Sequence, residues 1–213
     1  MIYLSKLLLR VENPQSQRDM GNMKELHRTI MSAFPTVINK NVEGMARAYF
    51  NVLFRVIPNG NRSIIWAQST EKPKWEQLIS HYPGYMGGFM VKEISSQLKQ
   101  ITPNKILRFT LRANPTIYDV NRKRKPLLKR EDQINWLQKQ SQQKGFSLVT
   151  VVISMDGWRP RNPQTNEAKI ILNTVDFEGT LRITDLDQFF QTLQKGIGPG
   201  KAFGLGLLLI GPS

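Results

Sequence analysis

The sequence predicts an α+β protein built of two tandem βαββαβ modules. Three observations predict it. Segments of strand and helix periodicity alternate in the order strand, helix, strand, strand, helix, strand. The same order then recurs in the second half of the chain. A hairpin signal, Pro58-Asn59-Gly60-Asn61, joins two strand-like runs at the place this order requires.

The elements follow one by one. Ile2 to Val11 is an apolar run broken by polar residues and reads as a strand. Asp19 to Phe34 has helical spacing, with Met23, Leu26, Ile30 and Phe34 on one stripe, and Pro35 ends it. Phe50 to Ile57 and Arg62 to Ser69 are strands. Thr70 to His81 is a second helix, with Trp75, Leu78 and Ile79 inward. Phe89 to Leu98 closes the first module as a strand. The second module opens with a strand at Lys105 to Ala113 and a helix at Glu131 to Lys144. Phe146 to Ser154 and Lys169 to Ile183 are strands, the latter bent or bulged near Gly179. Thr184 to Lys195 is a helix, capped by Thr184 or Asp185 and stopped at Gly196. Phe203 to Ile210 is the last strand. The boundary falls near residues 98–104, giving modules 1–100 and 101–213, each a ferredoxin-like sheet with helices on one face.

Composition narrows the partner. The 213 residues carry 30 Lys plus Arg against 16 Asp plus Glu, a formal net charge of +14. Like charges repel in a compact state, so such an excess points to a polyanionic partner. Solubility alone needs a net charge of only about 2–8 on a small domain. The chain has no Cys and only two His, His27 and His81. That excludes disulfides, thiolate metal sites and histidine-rich metal sites, so neither a metal nor a cofactor is expected. Met1 to Val11 does not read as a signal peptide, and the apolar run 203–210 is too short to span a bilayer. No helix presents a clear lysine-rich amphipathic face for a membrane. A cytoplasmic protein is expected.

The placement of the charge narrows it further. Arg122, Lys123, Arg124, Lys125, Lys129 and Arg130 crowd one segment, which reads as a loop gripping phosphates, with Pro126, Leu127 and Leu128 able to anchor it. A solvated loop is the ordinary alternative. Arg159 and Arg161 lie between two strands and could enter a duplex groove or contact splayed bases. Arg108 and Arg112 alternate along a strand and should emerge on one face. Lys169 stands just before a long strand as an auxiliary cation. Aromatic residues are not interleaved with this charge, so the pattern suits backbone and shape recognition of a folded RNA. A glycine-rich run from Gly196 to Gly206 joins the last helix to the last strand. It includes Gly198, Gly200 and Lys201, and suits close approach to an RNA backbone. Its order is wrong for a nucleotide-binding loop, which runs strand, glycines, helix.

His27 falls at the edge of the first helix's apolar stripe, where it can be held firmly and still reach solvent. By its residues alone this reads first as a half-buried boundary histidine.

Four segments in order, "MIYLSKLLLR", "LHRTIMSAFP", "LRANPTIYDVNRKRKPLL" with "DQINWLQ", and "GIGPGKAFGLGLLLIGP", resemble the CasE family of CRISPR repeat-processing endoribonucleases. The resemblance runs essentially end to end. It implies tandem ferredoxin-like modules that bind the repeat hairpin of precursor CRISPR RNA and cut it at the base of the stem without a metal. It also implies retention of the mature guide RNA with the other Cascade subunits. The free protein is expected to be a monomer. The family's catalytic histidine matches His27. Where the family commonly carries a tyrosine three residues earlier, this chain has Lys24. A lysine there could stabilise charge on a phosphorane or protonate the leaving oxygen, and should lower the pKa of His27 by like-charge repulsion.

Overall fold

The computed structural model describes residues 1–36, 46–158 and 172–213, the side chains of 155–158 excepted. Two compact units result. The first is Met1–Leu98 together with Ala202–Gly204, and the second starts at Lys99 and includes Leu205–Ser213.

The first unit holds strands β1 (Tyr3–Arg10), β2 (Leu53–Asn59), β3 (Arg62–Ser69) and β4 (Met86–Glu93). They form one antiparallel sheet in the order β2-β3-β1-β4. The strands alternate. Ser5, Leu7 and Leu9 of β1, with Ile65 and Ala67 of β3, face the core. Helix α1 (Pro14–Gly21) buries Ser16 and Asp19, while α2 (Met23–Met31) and α4 (Trp75–His81) supply Met23, Leu26, Ile30, Trp75 and Leu78 to that core. A short helix α3 (Ala46–Tyr49) precedes β2, and α5 (Ser95–Leu98) follows β4.

Several boundaries differ from the periodicity for local reasons. The predicted helix from Asp19 is two helices. Asn22 adopts an extended backbone and its side chain accepts the Lys24 N–H at 3.0 Å, which caps α2. Asn13 caps α1 in the same way, ahead of Pro14. Pro73 and Lys74 delay α4 to Trp75. The strand expected to run to Leu98 stops at Glu93. There Glu93 accepts the Ser95 N–H at 2.7 Å and Ser95 Oγ accepts the Ile2 N–H at 2.8 Å.

The second unit repeats the arrangement with β5 (Ile106–Ala113), β8 (Phe146–Trp158), β9 (Thr174–Ile183) and β10 (Leu208–Pro212) in the order β10-β5-β9-β8. Helices α6 (Arg130–Gln142) and α7 (Leu186–Lys195) complete it. Asp185 caps α7 through the Gln188 N–H, and Gly196 ends it with a positive φ of 71°. Both sheets therefore have the ferredoxin-like strand order. The irregularity expected in β9 near Gly179 lies across from it in β8, where the register shifts between Leu148 and Thr150. β10 begins five residues later than its apolar run, because Lys201–Phe203 is a 3-10 turn and Gly204 and Gly206 have positive φ.

Two short strands, β6 (Thr116–Tyr118) and β7 (Arg124–Pro126), form a separate hairpin. The sequence reading treats this stretch as a loop. Among the described residues no helix is long and apolar enough to cross a membrane.

Candidate active site

Helix α2 carries His27 at the edge of its buried face. Its buried stripe of Met23, Leu26 and Ile30 docks on the first sheet, which leaves His27 half-buried at the margin. The imidazole lies beside Phe54 of β2, ring centres 6.3 Å apart and tilted by 33°. Its Nε2 is buried and has no hydrogen-bond partner among the described residues. Burial, and secondarily the positive charge of Arg47 on α3, hold its pKa below the ordinary histidine value. The ring is therefore neutral near pH 7, with a free lone pair to accept a proton.

Lys24 is exposed one turn earlier on the same helix. The cation that depresses His27 is Arg47, not Lys24 as the sequence suggests. On the outer side of α2, Arg28 Nη1 donates to both carboxylate oxygens of Glu25, at 2.8 and 2.6 Å. Ser5 Oγ is buried and accepts the Trp75 indole N–H at 2.9 Å, while Tyr3 donates weakly to Met1 Sδ. His81 is exposed at the end of α4, edge-on to Tyr82.

The glycine-rich run contributes to the same neighbourhood. Ala202–Gly204 belongs to the first unit. A Cβ on Gly204 would stand 3.1 Å from the Phe54 ring, and its φ of 76° is left-handed, so glycine is favoured where the chain meets that face. Phe54 is thus shared by His27 and Gly204. Elsewhere the run folds on itself. Ile197 N–H donates to Gly206 O at 2.9 Å, Gly206 N–H to Arg112 O at 2.7 Å, and Lys201 Nζ to Gly198 O at 2.7 Å. At Gly206 a Cβ would come within 2.8 Å of the Ile197 carbonyl. The positive φ values of Gly198 and Gly200 serve this same winding.

The densest cations ride on the β6–β7 hairpin. Asp119 organises its turn, its Oδ1 accepting the N–H groups of Asn121 and Lys123 at 2.9 and 2.8 Å. Arg122 takes the left-handed conformation, with φ 56°. Arg124 lies over the Tyr118 ring at 5.2 Å and donates to its hydroxyl at 2.7 Å. Lys125 pairs with Asp119 at 3.3 Å. The expected anchor is only partly apolar. Leu128 is 70% exposed, and the segment is held by the Leu127 carbonyl, which accepts from Gln133 and Asn173. Lys129 and Arg130 are exposed at the start of α6.

Comparison with known proteins now bears on this arrangement. The profile of the CRISPR-associated protein family matches residues 2–212. The chain belongs to that family. It is 31% identical to the CRISPR-associated endoribonuclease Cse3 of Thermus thermophilus, over 99% of this chain and 100% of that protein. It is 29% identical to the Cascade subunit CasE of Escherichia coli, over the same shares. Among solved structures, Cse3 bound to a 19-nt RNA matches with a TM-score of 0.82 at 29% identity, covering all of both chains. Cse3 of Thermus thermophilus bound to an RNA representing a pre-cleavage complex matches at 0.80 and 28%, covering 99% of each chain.

For this CRISPR-associated protein, one sequence expectation fails outright. Arg108 and Arg112 do not emerge together. Arg108 is exposed, but Arg112 is buried and bound bidentately to Asp176 at 2.7 and 2.8 Å. The Arg112 side chain therefore braces β5 against β9, and its carbonyl braces Gly206. Arg159, Arg161 and Lys169 lie outside the described residues. Sequence reasoning missed Arg47 and Phe54. Arg47 stands alone in a short helix with no periodicity to mark it, and Phe54 reads as one more apolar strand residue. It also missed Tyr118 as the partner of Arg124, although their spacing across a tight turn is a hairpin signal.

Proposed function

We propose that this protein is a metal-independent endoribonuclease that binds the repeat hairpin of CRISPR precursor RNA and cleaves it at the base of the stem. It keeps the mature guide RNA and works with other Cascade subunits. The observation that carries the reading is His27, half-buried on α2 with an unpartnered Nε2, against a Phe54 ring shared with the glycine-rich run. Neutral His27 accepts the proton of a 2′-OH. The 2′-oxygen attacks the adjacent phosphorus, and the bond to the 5′-oxygen breaks. That oxygen takes a proton, either from the imidazolium or from the Lys24 ammonium, whose nearest role is there or beside the phosphorane. The products are a 2′,3′-cyclic phosphate and a 5′-OH.

In this reading the cations supply grip and register. Arg122, Lys123, Arg124 and Lys125 sit on the β6–β7 hairpin, exposed where they can meet phosphates, flanked by Lys129 and Arg130, with Arg108 on the neighbouring sheet. Arg159, Arg161 and Lys169 remain proposed contacts by sequence. Gly198, Gly200 and Lys201 remain proposed contacts to the RNA backbone, on the same run that carries Gly204 to Phe54.

The test is incubation with the hairpin repeat encoded beside the gene, in EDTA, followed by end-group analysis. The wild type yields a cyclic phosphate. His27→Ala lowers the single-turnover rate by about 10²–10⁴ and leaves hairpin affinity intact. Undiminished cleavage by that variant sinks the assignment. Lys24 in the place of the family's tyrosine favours one other reading, a hairpin-binding scaffold. It predicts the same affinity with no cyclic phosphate.

A further inference from the structure

We infer that the outer face of the first sheet is a second RNA-contact surface, one that takes a single-stranded segment by stacking and charge. The inference goes beyond the cleavage reading and shares with it only the class of ligand. The register builds this face from residues far apart in sequence. Lys6 of β1 pairs with Trp66 of β3 on one side and with Met90 of β4 on the other. Leu4 pairs with Lys92, and Arg10 with Arg62. Paired residues in an antiparallel ladder share a face, so these side chains stand on the side away from Leu7, Leu9 and Ile65.

The chemistry of the face fits an unpaired strand. Lys6 Nζ lies 5.8 Å over the Trp66 ring, within cation–π range, and both residues are half-buried. Met90 is 65% exposed beside them. Arg10, Arg62 and Lys92 are exposed around the apolar centre. Glu93, the acidic residue of these strands, pairs with Tyr3 and so stands on the opposite face. Towards β2 the face closes, since Leu53 and Gln68 are buried. The open part is therefore an aromatic and a thioether framed by cations. A four-stranded sheet offering an aromatic to splayed bases is an established way for this class of sheet to hold single-stranded RNA. A duplex shows no base faces to stack, so the indole selects the unpaired form. The cations alone would also admit an acidic protein segment.

Fluorescence anisotropy with the full-length protein tests this, using a labelled short oligouridylate, the repeat hairpin without flanks, and a polyglutamate peptide. The Lys6→Glu/Lys92→Glu variant is expected to bind oligouridylate about tenfold more weakly than wild type, with hairpin affinity changed less than twofold. Lys139→Glu/Lys195→Glu, the same charge change on exposed residues of α6 and α7, controls for net charge and should shift oligouridylate binding far less. Trp66→Leu should weaken oligouridylate binding and leave polyglutamate binding unchanged. If Trp66→Leu does not fold, the charge-reversal pair and its control decide. Equal oligouridylate affinity in the two charge variants, or no wild-type binding to it, overturns the proposal. So does a face that binds polyglutamate as well as RNA and ignores Trp66, which would mark it as a protein-docking surface. Loss of hairpin binding by the wild type would instead strike the cleavage reading and leave this one standing.

Discussion

At the scale of single residues, the behaviour of His27 depends on what surrounds its ring. Burial comes first and Arg47 second in lowering its pKa. Both disfavour imidazolium, so the base form persists to lower pH than in a free histidine, whose pKa is about 6.5. The limb of the cleavage pH–rate profile that reports the base should therefore lie below that value. Arg47→Gln should move it upward, part of the way back, because the burial remains. An NMR titration of His27 in the free protein checks the same shift without RNA. For stability, the unfolded chain binds the proton more readily than the folded one. The contribution of His27 is therefore present above about pH 6.5 and lost as pH falls through the lower folded value. A second residue-scale test concerns the core beneath α1. Burial raises the pKa of Asp19, opposed by the hydrogen bond from Tyr85, whose hydroxyl meets Asp19 Oδ2 at 2.7 Å. Tyr85→Phe should cost about 1–3 kcal/mol in urea unfolding, by leaving a buried carboxyl short of a donor.

Individual elements hold the machinery in two different ways. The β5–β9 pair is tied by Arg112 and Asp176, both nearly inaccessible. Removing one partner strands the other charge, so Asp176→Ala should destabilise the protein by about 3–5 kcal/mol. Because the Arg112 carbonyl holds Gly206, the variant should also loosen the glycine-rich run, visible as faster amide exchange at Gly206. The β6–β7 hairpin is the opposite case. Its cations are exposed and its turn is fixed by Asp119, so their replacement should leave folding intact and weaken RNA binding. Replacing Arg122, Lys123, Arg124 and Lys125 together with Gln should flatten the salt dependence of hairpin affinity. The slope of log affinity against log salt should fall in magnitude by about 3.6 at most. An unchanged slope would move the grip elsewhere.

Across the whole molecule, a net charge of +14 favours encounter with any polyanion, and two sheets of one topology set where specificity can be placed. The order of elements was legible because each sheet has one apolar face and each helix one apolar stripe. The periods of two and 3.6 residues therefore survive in the chain. Boundaries were less legible where one side chain outvotes the period, as Asn22 does by capping α2 in mid-pattern and as Ser95 does beyond β4. By itself the sequence determined the α+β class, the repeated module, the basic character and His27 at the rim of its helix, since all of these are local or additive. Tertiary structure alone decided that Arg112 is a brace, that Arg47 and not Lys24 tunes the histidine, and that Phe54 joins His27 to Gly204. It also gathered Lys6, Trp66, Met90 and Lys92 onto one face. These depend on strand register and on which charges are buried together, and neither quantity is written in the spacing of residues along a chain.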